Sequence, residues 1–244
     1  MKDNLPMSGR VSVLALDIHN HDDPDRPVVH IGVDGEDPFA TVVPGWAGFD
    51  PDDVLGGDSP LLPTANGRRV ALYRCSCGEA GCGSIAPLVV ASPDGRHVHW
   101  VDFRDFVGVF FRPLAAPAED GDDWQGKPVP VPDLRFDLGQ YVQEIGRASA
   151  DLSWETPRRR TARLLRERLA PLRPVLPPDL RLGWVVPAWD GPGVALSFER
   201  DDPYRQVVLR LASRHEDPEP AAGEMADRLL ASPPTDWART FRLE

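Results

Sequence analysis

The sequence predicts an α+β fold: a β-rich N-terminal module followed by a mixed α+β module. Three observations carry this reading. Residues 11–103 hold short β-branched and aromatic runs without helical periodicity, a Pro/Ala/acid-rich stretch interrupts the chain at 113–132, and beyond it apolar residues recur first at helical and then at strand spacing.

In chain order, the runs 11–18 (VSVLALDI), 27–35 (PVVHIGVDG), 68–75 (RRVALYRC), 85–92 (IAPLVVAS) and 97–103 (HVHWVDF) read as strands. Asp94-Gly95 lies between the last two and signals a hairpin, because both residues tolerate the positive φ angles of a tight turn. Those two runs are therefore expected to pair antiparallel. Residues 36–67, rich in Pro, Gly and Asp, read either as a surface excursion or as a stretch holding one short helix. The β-rich module is assigned to 1–112, a linker to 113–132 and the α+β module to 133–244.

The second module is expected to run helix, helix, three strands, helix. Tyr141, Val142, Ile145, Ala148 and Leu152 form a helical stripe. Thr156-Pro157 reads as an N-cap followed by proline at the first helical position, and Pro171 ends that helix. Strands follow at 182–186, 194–199 and 206–212, joined at Asp190-Gly191 and Asp202-Pro203. A closing helix carries Ala222, Met225, Ala226, Leu229 and Leu230 on its apolar side.

A chain of 244 residues can bury a core without disulfide staples. No apolar run reaches the roughly 18 residues that a membrane helix needs, and the first residues lack a hydrophobic signal segment, so a cytoplasmic location without membrane contact is expected. The net charge of −11 opposes phosphate backbones, which disfavours nucleic acid as a partner. One stretch runs the other way. Between 151 and 174, seven arginines (158, 159, 160, 163, 166, 168 and 173) face only Asp151, Glu155 and Glu167, so a nucleic-acid contact through Arg158 to Arg168 is the weaker alternative to a solvated helix face.

All three cysteines fall within RCSCGEAGCGS (74–84), as C-x-C-x4-C among Gly78, Gly81 and Gly83. Residues two apart on a strand share a face, so Cys75 and Cys77 can converge, and the four-residue loop can fold Cys82 back toward them. Three converging thiolates suit a structural zinc ion, which normally takes a fourth ligand. His99, or else His97, on the paired strand is the expected fourth ligand, ahead of His19, His21 and His30. Two other readings of the cluster stay open: ordinary thiols in a glycine-rich turn, and a reactive or redox thiol at Cys77 or Cys82. An i, i+2 histidine pair on a strand also fits a solvated edge.

Elsewhere the signals are weaker. GGDSP around Ser59 lacks the glycine that a nucleophile elbow places after its serine. The acidic run from Asp17 to Asp58 lacks the spacing of a calcium loop and reads as solvated loops. Seven tryptophans suit core packing, with some available for a protein interface.

Cys75, Cys77, Gly78, Glu79, Gly81 and Cys82, then Trp100, Asp102 and Phe103, then Phe136, Tyr141, Ala148, Trp154 and Glu155 form a pattern that resembles an uncharacterised bacterial family with a CSCGE-x-GC segment, a hairpin ending in tryptophan and DF, and a tyrosine helix leading to SWE. The resemblance spans about two thirds of the chain. It implies that the two halves belong to one recurring arrangement, and it implies no activity. This chain departs from it at Gly83, where the family's pattern often has a bulky residue, and the pattern fixes no histidine at the position of His99. The functional expectation is a non-enzymatic protein-interaction or regulatory module with a structural zinc site, the alternative being an enzyme that uses Cys77 or Cys82 at the module interface.

Overall fold

A computed structural model describes residues 10–20, 23–56, 58–77, 81–114, 126–172, 180–201 and 204–241. The chain divides into two compact units, Met1–Trp154 and Glu155–Glu244. The α+β expectation holds, with antiparallel pairing throughout the named strands.

In the first unit, β1 (Leu14–His19) and β2 (Val28–Val33) form a two-stranded sheet. Next come β3 (Ala47–Gly48), α1 (Pro51–Val54), β4 (Arg68–Arg69), β5 (Tyr73–Arg74), β6 (Ser84–Ala91), β7 (His97–Phe106), β8 (Lys127–Pro128) and β9 (Leu134–Asp137). These strands form one sheet in the order β3-β5-β6-β7-β8, with β4 also on β6 and β9 also on β7. The excursion 36–67 thus holds one short helix, α1, begun by an Asp50 side chain that accepts from the N–H of Asp52.

The sequence run 68–75 is not one strand. Its ends pair with β6, and Val70 and Leu72 still donate to the Pro87 and Ile85 carbonyls, but the register shifts by one residue opposite Pro87, which has no N–H to return a bond, so the ladder breaks into β4 and β5. The β6–β7 hairpin forms at Asp94-Gly95 with only Gly95 at positive φ, 67°. Asp94 instead caps the turn, its carboxylate accepting from Ser92 Oγ and the N–H of Arg96. In β7, Asp102 sits at φ 51° where the register with β6 shifts between Ala86 and Leu88. Such a left-handed non-glycine residue needs support. Arg69 and Arg104 both bind its carboxylate, at 2.6 and 2.8 Å.

The domain boundary differs from the sequence expectation. Residues 126–132 of the expected linker carry β8, which pairs with β7, and the buried Val131; residues 115–125 lie outside the described part. β9 pairs with the start of β7, and α2 (Leu138–Ala150) packs against β1, so both belong to the first unit rather than opening the second. The helical stripe is narrower than read. Tyr141, Ile145 and Ala148 are buried, whereas Val142 and Leu152 are exposed.

Two contacts fix α2 in place. Tyr141 lies in an aromatic cluster with Trp100 and Phe136; its hydroxyl accepts from Trp100 Nε1 at 3.0 Å and donates to the Leu61 carbonyl at 2.9 Å. On the opposite flank, the amide of Gln140 accepts from the N–H of Leu14 and donates to its carbonyl, while Glu144 accepts from the N–H of Leu16 and Arg147 donates to its carbonyl. Burial drives the Tyr141 hydroxyl pKa far upward, so it stays a donor.

The second unit contains α3 (Pro157–Leu169), β10 (Leu180–Pro187), β11 (Val194–Asp201), β12 (Tyr204–Leu211), α4 (Pro218–Leu230) and α5 (Pro234–Thr240), the strands ordered β10-β11-β12. α3 starts where Thr156 accepts from the N–H of Arg159 and Pro157 occupies its first turn, as expected. Leu165, Val185, Leu196, Leu209, Met225 and Leu229 form the centre of its core. Leu230, placed on the apolar side of the closing helix from sequence, is exposed, and Ala221 is buried in its stead. α5 has no counterpart in the sequence reading; its Trp237 packs on Phe198 and donates to the carbonyls of Leu229 and Ser232.

Candidate metal centre

The loop that carries the cysteines is held at both ends by backbone bonds. The N–H of Cys75, one residue past β5, donates to the Gly83 carbonyl at 3.0 Å, and the N–H of Gly108 donates to the Gly81 carbonyl at 2.7 Å. Gly81 adopts φ +75°, a conformation that glycine takes at no steric cost, with the Phe111 ring 3.0 Å from where a Cβ would stand. Gly83 meets a second ring: a Cβ there would lie 2.6 Å from Trp46. The space a bulky residue at 83 would fill is thus already taken from the β3 side.

This frame brings the Sγ atoms of Cys75, Cys77 and Cys82 to within 4.8 Å of one another. Around a tetrahedral zinc with Zn–S of about 2.3 Å, sulfurs stand about 3.8 Å apart, so one ion can bridge all three. None is disulfide-bonded; Cys75 is half-buried, while Cys77 and Cys82 are at the surface. Hydrogen bonds to Cys77 and then Cys75, reinforced by their negative charge, push the Cys82 thiol up to about 11. A nucleophilic cysteine needs the opposite shift. At neutral pH Cys82 therefore holds its proton until an ion displaces it.

Neither predicted histidine ligand reaches the thiols. Ser84, two residues beyond Cys82, pairs with Phe106, whereas His99 pairs with Val90, six residues further along β6. At about 3.3 Å per residue this is about 20 Å, and His97 lies further still. The hairpin pairs the two strands as expected, but it places the histidines at the opposite end. There, Arg135 Nη2 contacts the ring of His97. Burial, followed by the charge of Arg135 and by His97, holds the pKa of His99 below its usual value. A neighbouring guanidinium disfavours a bound cation at these rings. Among the described residues, no histidine, aspartate or glutamate joins the three-sulfur group. His19 stacks on His30, whose Nε2 lies 3.5 Å from Asp37; His21 lies outside the described residues.

The remaining sequence candidates have structural roles. Ser59 is buried, donating to the Val54 carbonyl and accepting from the N–H of Leu61. On α3, Arg158 binds the carbonyls of Ala188 and Gly191, Arg163 pairs with Glu155 and Glu167, Arg166 binds the Val185 carbonyl, Arg168 pairs with Glu219 and Arg159 is buried. Most of the basic stretch is thereby engaged within its own unit; Arg173 lies outside the described residues.

The structure adds residues that the motif did not reveal. Val107 (68 % exposed), Phe111 (58 %) and Leu114 (43 %) form an exposed apolar run, Phe111 lying against the cysteine loop at Gly81. The run VGVFF continues past the strand read at 97–103, and its apolar character beyond the end of β7 was the available signal. Trp46 carried no such signal, since it lies far from the cysteines in sequence.

The protein so defined is an α+β chain with a cluster of three thiols between β5 and β6 of a seven-stranded sheet, a place where one metal ion can be held. Comparison with known proteins returns no matching family model, no similar curated protein and no similar solved structure. Among the described residues, no helix is long and apolar enough to cross a membrane.

Proposed function

We propose that this chain is a non-enzymatic cytoplasmic protein-interaction or regulatory module whose cysteine loop is fastened by a structural zinc ion. The convergence of three Sγ atoms within 4.8 Å, on a loop fixed by backbone hydrogen bonds, is the observation that carries the zinc reading. Phe111, exposed beside that loop, with Val107 and Leu114 also exposed on the same stretch of chain, supports an interaction surface, because exposed apolar side chains gain most when a partner covers them. The raised pKa of Cys82 weighs against a reactive thiol at that position.

Metal analysis of tag-free protein tests the reading: about one zinc per chain is expected, since filling a thiolate site is coupled to folding of its loop. Cys77→Ser should lower both zinc content and melting temperature. A chain that purifies without metal, takes up none when zinc is supplied and keeps its melting temperature on Cys77→Ser removes the zinc reading. Co-purification with Phe111→Ser as the control tests the interaction surface: a partner retained by the wild type should be lost from the variant, and the absence of any such partner counts against that surface.

A further inference from the structure

Among the described residues the donor set consists of three sulfurs, two of them at the surface, on a loop whose ends are joined by backbone hydrogen bonds. Zinc needs a fourth donor to close its tetrahedron. A pyramidal three-coordinate centre does not, since a lone pair occupies the fourth direction. We propose that Cys75, Cys77 and Cys82 bind trivalent arsenic or antimony, taken up as the neutral trihydroxide, through three bonds to sulfur. The proposal rests on the three-sulfur cluster of the preceding reading, but not on zinc being its ion.

The exchange balances without an oxidant or a reductant. Three S–H bonds and three As–OH bonds break, three S–As bonds form, and each thiol proton leaves with a hydroxide as water; arsenic stays trivalent and sulfur keeps its oxidation state. Zinc binding to the same thiols must instead release their protons to solvent. The mutual spacing matters here, because each further sulfur adds to the same centre intramolecularly once the first bond has formed. Gly81 and Gly83 pack closely on the Phe111 and Trp46 rings, and the two backbone bonds from Cys75 and Gly108 hold the ends of the loop, so the cysteines start close to one another.

The test uses the full chain, reduced and metal-free, titrated with arsenite. Intact mass should show one arsenic gained for three hydrogens lost, sulfur-to-arsenic absorption should saturate at one equivalent, and all three thiols should become resistant to alkylation. Cys75→Ser, Cys77→Ser and Cys82→Ser should each weaken binding about 100-fold through loss of one tethered arm. The alkylation assay on the wild type needs no variant, so a misfolded variant cannot decide the matter. An adduct that leaves one thiol open to alkylation overturns the three-sulfur site, as does binding unaffected by all three substitutions. Retained zinc that excess arsenite does not displace overturns this proposal and leaves the zinc reading standing. Arsenite bound by a chain that retains no zinc does the reverse, and a chain that takes neither ion removes both.

Discussion

Gly83 and Gly146 show how differently one residue type acts at two sites. A Cβ on Gly83 would stand 2.6 Å from the Trp46 ring, whereas one on Gly146, inside α2, meets nothing within 4 Å. Gly83→Ala should therefore cost about 1–3 kcal/mol by overpacking, and Gly146→Ala should add about 0.5–1 kcal/mol by removing backbone freedom from an exposed helix position. Denaturant melts of the two variants check both signs. His99 adds a pH dependence. Its folded pKa lies below 6.5, so the unfolded chain takes up the proton first and stability falls as the pH drops below about 6.5, down to the folded value. His99→Gln should flatten that part of the stability profile, as measured by chemical unfolding from pH 7.5 to 5. The cysteines converge as their close spacing suggested, but not by strand alternation: β5 ends at Arg74, Cys75 and Cys77 lie in the turn beyond it, and the Cys75–Gly83 backbone bond draws Cys82 back toward them. The fourth-ligand expectation failed because His97 and His99 follow the Asp94-Gly95 turn closely whereas Cys82 precedes it by most of the length of β6, so the hairpin that pairs the two strands also holds these groups at opposite ends.

At the level of elements, α2 shows what periodicity can and cannot give. The spacing of Tyr141, Ile145 and Ala148 marked the helix, yet nothing local assigned it to the first unit; that follows from Tyr141 reaching Trp100 and Leu61, 41 and 80 residues away in sequence. Tyr141→Phe keeps the ring and strands both partners, so it should cost about 1–3 kcal/mol, the penalty for buried groups left unpaired. A loss below about 0.5 kcal/mol in urea melts would show that Trp100 and Leu61 find other partners. β4 and β5 were read as one strand for a related reason: the run is strongly β-forming, and its interruption comes from Pro87 on the partner strand, which no pattern within the run itself announces. β9 and α5 were missed because four and seven residues are too few for either period to emerge.

For the whole molecule, two separate cores predict two separable unfolding steps. If zinc occupies the cysteine loop, chelation should shift only the step belonging to residues 1–154, in calorimetry with and without a chelator. A single transition that moves as one would show that the units unfold together. The composition narrowed the functional classes but did not separate the units, because the Pro-rich stretch that resembled a linker contains β8, which pairs with β7 of the first unit. The flank of β1 bears on how the chain behaves in a crowded solution. There the Gln140 amide and the Glu144 and Arg147 side chains satisfy the outward peptide groups of Leu14 and Leu16, as a neighbouring strand would. An edge so occupied offers no template to another chain. The helix thus protects against fibrillar self-association, and a Gln140→Ala, Glu144→Ala double variant should scatter light and bind amyloid dyes at concentrations where the parent stays clear.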